Sequence, residues 1–185
     1  MSLSLVKEVH RRLTGVTGPG DLCLDAPAGN GFDTLFLARQ VGAEGTIHSM
    51  DLQSDALLMT GSLLEKHGLA ERVTTHLSCH SKMETVLPPD AKGRIRAITF
   101  NLGYLPKGNK SITTKAETTL PAIRNSYDWL ARNGVLSVLC YLGHPGGKNE
   151  EQAVRKLIQD QGWKDEAIPG NESGESPVLH WIEKT

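Results

Sequence analysis

The segment from Asp25 to Thr34 combines an acid, two glycines and a threonine at a spacing that suits ligand binding. Asp25 stands four residues before Gly29, and Gly31 follows Gly29 after one residue. Glycines in a turn between a strand and a helix permit positive φ and let backbone N–H groups approach a ligand closely. The segment therefore predicts a site for a nucleotide-like ligand, with an ordinary tight turn as the alternative.

The same spacing narrows the kind of nucleotide. A dinucleotide fingerprint has a third glycine and places a pyrophosphate at the helix N-terminus. Here Thr34 stands where that glycine would be. Asp25 would also lie beside the pyrophosphate, which is an unfavourable position for an acid. A carboxylate at this position can instead lie near the ammonium group of a methionine moiety. The D-x-x-x-G-x-G pattern resembles motif I of the class I S-adenosylmethionine-dependent methyltransferases.

Two further residues follow predicted strands. Asp51 comes twenty residues after Gly31, where Rossmann-like folds place a carboxylate that accepts hydrogen bonds from ribose hydroxyls. His80 lies just past the third predicted strand, where this fold usually contacts the adenine, although a partly exposed loop histidine is the alternative. Together with Asp25 and the glycines, these positions favour cofactor binding.

A second chemical segment, Asn101-Leu102-Gly103-Tyr104, follows the fourth predicted strand. A neutral amine needs no strong base to attack a sulfonium methyl group, but its lone pair must be aimed in line. Asn101 Oδ1 and the Leu102 carbonyl are predicted to accept the amine N–H bonds and to stabilise the developing positive charge. Tyr104 would stack on the adjoining ring. The segment resembles the [D/N/S]-P-P-[Y/F] motif of amine methyltransferases, and a strand-ending Asn with a core Tyr is the alternative.

The elements that must position these residues are short apolar runs that alternate with longer amphipathic segments. Such alternation predicts an α/β fold of the Rossmann-like class I methyltransferase type, with a mostly parallel seven-stranded sheet and helices on both faces. We expect one domain over residues 1–185, with an N-terminal helix in 1–18 and the Rossmann-like core in 19–185. The predicted strands are 21–26, 46–51, 73–78, 95–101, 135–142, 163–169 and 178–183, and the predicted helices are 3–13, 31–41, 54–67, 118–132 and 149–161.

Composition restricts the functional classes only weakly. Lys and Arg total 20 against 21 Asp and Glu, so the net charge of −1 gives no global reason to expect nucleic-acid binding. An RNA substrate would have to be held by a local basic patch. Cys23, Cys79 and Cys140 are far apart and fall in apolar stretches, which favours buried thiols in a reducing cytoplasm. We expect no metal site, no signal peptide and no membrane span.

Several blocks of the sequence together carry a resemblance to a known family: 29–38, Asp51-Leu52-Gln53, 101–106 with Lys110 and 112–114, and 141–147. On these blocks the chain, from about residue 20 onward, is similar to the rRNA methylase family, whose members are associated with methylating the 5-aminomethyl group of 2-thiouridine at the tRNA wobble position. Two departures are Pro27-Ala28, where Thr and a larger residue are expected, and the single Pro177, where a Pro-Pro pair is common.

The resemblance implies methyl transfer from S-adenosylmethionine to an exocyclic primary amine, with the tRNA anticodon stem-loop as partner. His144 would orient the substrate or take up the released proton, and a purely structural Gly-His-Pro turn is the alternative. Lys107, Lys110 and Lys115 would contact the phosphates of the RNA. The alternative is that these three lysines are ordinary solvent-exposed side chains. The expected catalytic residues are Asn101, Tyr104 and His144. The expected cofactor-binding residues are Asp25, Gly29, Asn30, Gly31, Asp33, Thr34, Asp51, Gln53, His80 and Asn101. The expected substrate-binding residues are Leu102, Gly103, Lys107, Lys110 and Lys115.

Three other functions are alternatives to this one. A methyltransferase for rRNA, DNA or a protein amine would share every cofactor residue. A nicotinamide-dependent oxidoreductase is disfavoured by Thr34 and by the absence of a Tyr-x-x-x-Lys pair. A non-catalytic binding module is a poor fit, because Asn101 and Tyr104 both stand at positions that catalysis requires. We also expect a homodimer, because a chain of 185 residues without a separate RNA-binding domain would gain surface for tRNA by pairing.

Overall fold

The computed structural model describes residues 4–105, 112–171 and 176–185. Seven strands form one sheet in the order β3-β2-β1-β4-β5-β7-β6. β7 pairs antiparallel with both β5 and β6, while the other neighbouring pairs are parallel. The strands are β1 (Leu22–Asp25), β2 (Thr46–Asp51), β3 (Val73–Leu77), β4 (Ile95–Leu102), β5 (Leu130–Cys140), β6 (Asp165–Pro169) and β7 (Val178–Glu183).

Helices cover both faces of this sheet, and each face has its own apolar core. One core contains Leu13 of the first helix, Leu37 of the second and Leu64 of the third. The other contains Met83, Ile123 and Ile158 from the later helices. The helices are α1 (Leu5–Thr14), α2 (Phe32–Gln40), α3 (Ser54–Lys66), α4 (Met83–Val86), α5 (Ala116–Trp129) and α6 (Gly147–Gln161), with 3-10 turns at Ala70–Arg72, His80–Lys82 and Pro89–Ala91.

The predicted fold class is confirmed, and each predicted strand and helix has a counterpart. The largest error concerns the start of β5, which is predicted at residue 135 but lies at Leu130, so that α5 is shorter than the predicted helix to residue 132. The helix ends at Trp129, because Leu130 already pairs with Ile95 of β4. Asn133, with φ of 60°, and Gly134 lie within β5, where its register with β4 shifts, and not at a helix end. Sequence analysis also missed α4, whose four residues are too few to show a helical period.

The parallel strands bring their carboxyl ends to one edge of the sheet. β1 leads into the glycine turn, β2 ends at Asp51, and β4 ends at Leu102 beside Cys140 of β5. In open α/β sheets ligands bind at this edge, where the connections diverge to the two faces. The fold therefore gathers segments that lie more than a hundred residues apart in the chain. Across the described ranges, no helix combines the length and apolarity needed to cross a membrane.

Candidate active site

A cavity of about 510 Å³ opens at the carboxyl edge of the sheet. Its wall is built from the glycine turn, the ends of β2, β4 and β5, and residues 112–114. Its size is in the range of small-molecule and cofactor sites. Of the residues singled out in the sequence, Gly29, Asn30, Asp33, Asp51, Gln53, His80, Asn101, Gly103, Tyr104 and His144 line it.

The glycine turn owes its shape to two residues with positive φ, Gly29 at 55° and Gly31 at 77°. Gly31 stands immediately before α2 and is crowded by α3. A Cβ added to Gly31 would lie 2.8 Å from Oγ1 and 2.9 Å from Cα of Thr60. Gly31 is thus needed for conformation and space, but it is not on the cavity wall.

Asp51 ties the glycine turn to the end of β2. Its Oδ2 accepts the Gly29 N–H at 2.9 Å, and its Oδ1 accepts the Gln53 N–H at 2.9 Å. Burial raises the pKa of Asp51, and these N–H donors oppose that rise. A carboxylate has lone pairs for more than two donors, so Asp51 can still accept a ligand hydroxyl at the cavity.

The position of Asp25 corrects the expectation that this carboxylate contacts the ligand. Asp25 is fully buried and lies beneath the turn, outside the cavity wall. Thr34 Oγ1 donates to its Oδ2 at 2.6 Å, and Thr99 Oγ1 donates to its Oδ1 at 2.9 Å. Burial first, and then the charge of Asp33, raise the pKa of Asp25 well above its usual range. Asp25 and Thr34 are both buried where helix α2 packs on the sheet. They therefore support the glycine turn from the interior of the protein.

Asn101 lies in a chain of polar side chains that reaches α1. Its Nδ2 donates to Asp33 Oδ2 at 2.6 Å, and the other oxygen of Asp33 lies 2.5 Å from His10 Nε2. Because Nδ2 is the donor, the remaining polar atom of the amide, Oδ1, is an acceptor. Both Asn101 and Asp33 line the cavity. The amide is therefore held with its acceptor oxygen available to a ligand.

Leu102 lies outside the cavity wall. Its side chain is fully buried, and its carbonyl accepts the Tyr141 N–H at 3.1 Å. That bond continues the pairing of β4 with β5 and uses one of the two lone pairs of the carbonyl that is expected to hold a substrate amine. Gly103, the next residue, lines the cavity instead.

The opposite wall is formed by Tyr104, residues 112–114 and His144. Tyr104 pairs with Thr113 in an isolated antiparallel bridge, and the Thr114 N–H donates to the Gly103 carbonyl at 2.9 Å. The Tyr104 ring meets the His144 ring edge to face at 6.1 Å. Tyr104 is 40% exposed, so this wall presents an aromatic face rather than a core residue.

His144 is fixed by the turn that precedes α6. Its Nδ1 lies 3.1 Å from the Pro145 carbonyl, which can only accept, so Nδ1 carries the proton in a neutral ring. Its Nε2 is buried without a hydrogen-bond partner among the described residues. Gly147, the first residue of α6, is so close that an added Cβ would lie 2.9 Å from Nε2.

Of the three lysines expected to meet phosphates, the structure places one. Lys115 is exposed and immediately precedes α5, next to the wall residue Thr114 but outside the cavity itself. Lys107 and Lys110 lie outside the described residues.

His80 closes the cavity from the side of β3. The ring is 6% exposed and packs edge to face on Phe100 at 5.8 Å. No described residue is hydrogen-bonded to its Nε2. Burial lowers the pKa of His80 to about 4, so the ring is neutral at pH 7. A buried, unpaired ring nitrogen on a cavity wall is suited to a hydrogen bond with a ligand.

The low pKa of His80 predicts a pH-dependent stability. The unfolded chain takes up a proton on this residue near pH 6.5, whereas the folded chain does so only near pH 4. The contribution of neutral His80 is therefore complete above pH 6.5 and is lost progressively down to about pH 4. We expect His80→Gln to reduce the difference in unfolding free energy between pH 7.5 and pH 5 by about 2 kcal/mol.

Urea unfolding at the two pH values measures this difference. His67→Gln, at an exposed position, is the matched control and should leave the pH dependence unchanged. His48, whose pKa burial also lowers to about 4, adds the same trend to both proteins and does not affect the comparison. Equal pH dependence in wild type and His80→Gln would contradict the prediction.

Sequence analysis missed Glu150, which anchors the wall at residues 112–114. This buried carboxylate in the first turn of α6 accepts the Thr114 hydroxyl at 2.7 Å and the Thr119 hydroxyl at 2.6 Å. No local pattern identifies it, because both partners lie more than thirty residues away. We expect Glu150→Ala to lower the unfolding free energy by about 3 kcal/mol, since two hydrogen bonds to a charged acceptor are lost. Urea unfolding tests this, with exposed Glu117→Ala as the control expected within about 0.5 kcal/mol of wild type.

Helix α1 also contributes residues that sequence analysis did not single out for chemistry. Val6 lines the cavity directly, and His10 reaches it through Asp33. The apolar period that predicts α1 from the sequence does not mark a polar residue of the helix as part of a site. In the part of the chain that the structure describes, no group of three or more His, Cys, Asp or Glu side chains could hold a metal ion.

The sheet order, the glycine turn after β1 and the acid that ends β2 define a class I, Rossmann-like methyltransferase. Within that class, the chain belongs to the family described as "Putative rRNA methylase", whose family model matches residues 47–168.

Several known proteins are similar to this chain. The chloroplastic tRNA (mnm(5)s(2)U34)-methyltransferase of Arabidopsis thaliana is 43% identical over 143 residues, which cover 73% of this chain and 52% of that protein. The chain thus spans about half the length of this curated relative. The solved structure described as a putative rRNA methylase of Clostridium thermocellum is 32% identical, with a TM-score of 0.90 over 97% of both chains. SMU.1697c of Streptococcus mutans, solved in complex with SAH, is 30% identical, with a TM-score of 0.85 over the whole of both chains.

Proposed function

We propose that this chain is an S-adenosylmethionine-dependent N-methyltransferase that acts on RNA. Its expected substrate is 5-aminomethyl-(2-thio)uridine at the tRNA wobble position, and its product is 5-methylaminomethyl-(2-thio)uridine. The observation that carries the proposal is the Asn101 amide, which Asp33 holds with an acceptor oxygen left on the cavity wall. An acceptor fixed in this way can bind an amine N–H and so direct the nitrogen lone pair.

The cavity also fits the cofactor. Asp51 is placed to accept ribose hydroxyls, and buried His80 offers a ring nitrogen without a protein partner to the adenine. Gly29, Asn30, Asp33 and Gln53 complete this side of the wall, and Asp25, Gly31 and Thr34 hold the turn in shape. When bound, S-adenosylmethionine supplies an electrophilic methyl group on a sulfonium centre.

Calorimetric titration tests the cofactor assignment. S-adenosylhomocysteine should bind, and NAD should not, because the turn has no third glycine to admit a pyrophosphate. Tight binding of NAD alone would overturn the assignment in favour of an oxidoreductase.

The opposite wall supports an RNA base as the group that carries the amine. Tyr104 and Ile112 are each 40% exposed at the cavity, and a ring and an apolar side chain at the mouth can hold an unstacked base. His144, with its Nδ1 fixed by a carbonyl, orients Tyr104 from the edge. Lys115 and, by expectation, Lys107 and Lys110 meet the phosphates of the anticodon stem-loop.

The substrate is tested with two synthetic anticodon stem-loops that differ only in the aminomethyl group at the wobble uridine. With labelled cofactor, we expect methyl transfer to the aminomethyl-bearing RNA and none to the plain uridine. Equal transfer to both would exclude the proposed substrate, and transfer only to rRNA fragments would favour the rRNA alternative. The Arabidopsis relative, by its name, methylates the wobble uridine of tRNA, which supports testing this substrate first.

We further propose that the protein works as a homodimer in the cytoplasm. Large apolar side chains stand exposed near the cavity mouth and on α3, including Phe32 at 63%, Leu52 at 57% and Leu58 at 68%. Covering them with a second copy would lower their cost in water. The three cysteines are free and buried, which suits a reducing compartment. Sedimentation that shows only monomer would exclude the dimer, and fractionation of cells tests the location.

A further inference from the structure

Asp33 stands at the junction between the cavity and helix α1. It lines the cavity, its Oδ2 accepts a hydrogen bond from Asn101, and its Oδ1 faces His10 Nε2 at 2.5 Å. The two oxygens together retain lone pairs for another donor. A group bound by Asn101 would therefore also lie near a carboxylate that is already in contact with an imidazole.

His10 links this carboxylate to the solvent. Its ring stacks on Phe36 at 4.0 Å with an interplanar angle of 3°, which holds the imidazole in place. The side chain is 26% exposed, whereas that of Asp33 is 13% exposed. A proton that reaches His10 through Nε2 can leave the ring through its other nitrogen.

The proposed substrate makes such a route necessary. A primary alkylamine has a pKa near that of lysine, about 10.4, so only about one molecule in a thousand is unprotonated at pH 7.5. An ammonium nitrogen has no lone pair and cannot attack a methyl group. Fixing the nitrogen with Asn101 is therefore insufficient unless one proton is first removed.

We infer that Asp33 and His10 form a dyad that removes a proton from the ammonium form of the acceptor amine. This inference rests on the proposed function. An N–H bond of the ammonium breaks, its electron pair stays on nitrogen as the lone pair, and the proton passes to Asp33 Oδ. For this step His10 is neutral with its proton on Nδ1, so that Nε2 carries a lone pair. The proton moves from Asp33 to Nε2 while Nδ1 releases its own proton to solvent, which leaves the tautomer whose Nε2–H donates to the Asp33 carboxylate. Asp33 is the catalytic residue of the dyad, and His10 is a positioning and relay residue that acts through it.

Other groups at the site are less suitable for this task. The Nε2 of His144 is buried against Gly147 at the start of α6 and has no hydrogen-bond partner among the described residues through which a proton could leave. Asp51 binds the Gly29 and Gln53 N–H groups, and the hydrogen bond to the Asn101 amide is made by Asp33. Besides His10, two titratable groups face Asp33: Asp25 beneath it and Tyr141 across the cavity. Burial first, and then the charge of Asp33, raise the pKa of both groups.

The test is the pH dependence of kcat/KM on the aminomethyl-bearing stem-loop from pH 6.5 to 9.5. His10→Gln keeps a donor for Asp33 but cannot carry a proton, and Asp33→Asn removes the carboxylate. We expect His10→Gln to be about 10²-fold slower than wild type at pH 7.5, with a deficit that shrinks about tenfold per pH unit and vanishes by pH 9.5. Lys7→Gln, exposed one turn earlier on α1, is the control and should follow wild type.

Two further measurements separate the dyad from a structural role. Thermal melting checks that each variant is folded, and fluorescence anisotropy without cofactor should give the same stem-loop Kd for wild type and His10→Gln. A wild-type pH profile for His10→Gln would overturn the inference, and so would a deficit that does not change with pH, because His10 would then only position Asp33. A pH-dependent loss in His144→Gln instead, or an Asp33→Asn variant that only raises the cofactor KM, would also overturn it.

The same experiment distinguishes the two proposals. If the wild-type protein does not methylate the aminomethyl-bearing RNA, the proposed function fails and the dyad fails with it. If wild type is active while His10→Gln matches it at every pH, only the dyad fails.

Discussion

Replacing Asn101 by alanine should lower kcat for methyl transfer about 10²- to 10³-fold, the cost typical of deleting one preorganised polar group at a reacting centre. The substitution removes the acceptor oxygen that Asp33 holds on the cavity wall. It also leaves an oxygen of Asp33 without its amide donor. The amine then loses the contact that directs its lone pair, so the loss should fall on kcat more than on KM for the RNA.

Steady-state kinetics with the aminomethyl-bearing stem-loop measure this effect. Asn125→Ala is a suitable control, because Asn125 donates to Glu84 at 3.0 Å and lies outside the cavity wall. The control should retain activity within about twofold, which corresponds to less than 0.5 kcal/mol. If Asn101→Ala turned over at the wild-type rate, the role given to the amide would be wrong.

The second large effect is expected for Gly31→Ala. The added Cβ would lie 2.9 Å from the Thr60 backbone, and the φ of 77° is unfavourable for any residue with a side chain. We expect the unfolding free energy to fall by about 2 to 4 kcal/mol, from strain of about 1 to 3 kcal/mol and the displacement of α3. Affinity for S-adenosylhomocysteine should fall as well, because the turn carries the cofactor-side wall.

Gly61→Ala provides the opposite result within the same protein. Gly61 is inside α3, a Cβ there meets nothing within 4 Å, and no positive φ is required. Alanine should therefore stabilise the helix by about 0.5 to 1 kcal/mol. Urea unfolding of both variants makes the comparison. Equal stability of Gly31→Ala and wild type would mean that α3 yields to the side chain without cost.

Several features of the site follow from sequence alone. The ends of β1, β2 and β4 and the glycine turn were located from short apolar runs and residue spacing. Parallel strands end at one edge of their sheet, so residues that follow those strands meet without any further information. The identity of the amine, in contrast, came from family resemblance and not from spacing.

The direct contacts of the acids could not be predicted in this way. Asp25 and Asp51 both end strands, yet Asp25 is sealed beneath α2 while Asp51 faces the cavity. The difference arises from how α2 packs over β1, which is a long-range property. The hydrogen bond that the Leu102 carbonyl accepts has a similar cause, because the pairing of β4 with β5 supplies its donor.

The amino-acid sequence by itself determined the class of fold, the edge of the sheet where the ligand binds and the asparagine that suits an amine. These features depend on local periodicity and on turn chemistry, which are readable within a few residues. Only the tertiary structure decided that His10 joins Asp33, 23 residues away, and that Glu150 anchors the far wall. These contacts form only when separate helices pack on the same sheet, so no local sequence pattern predicts them.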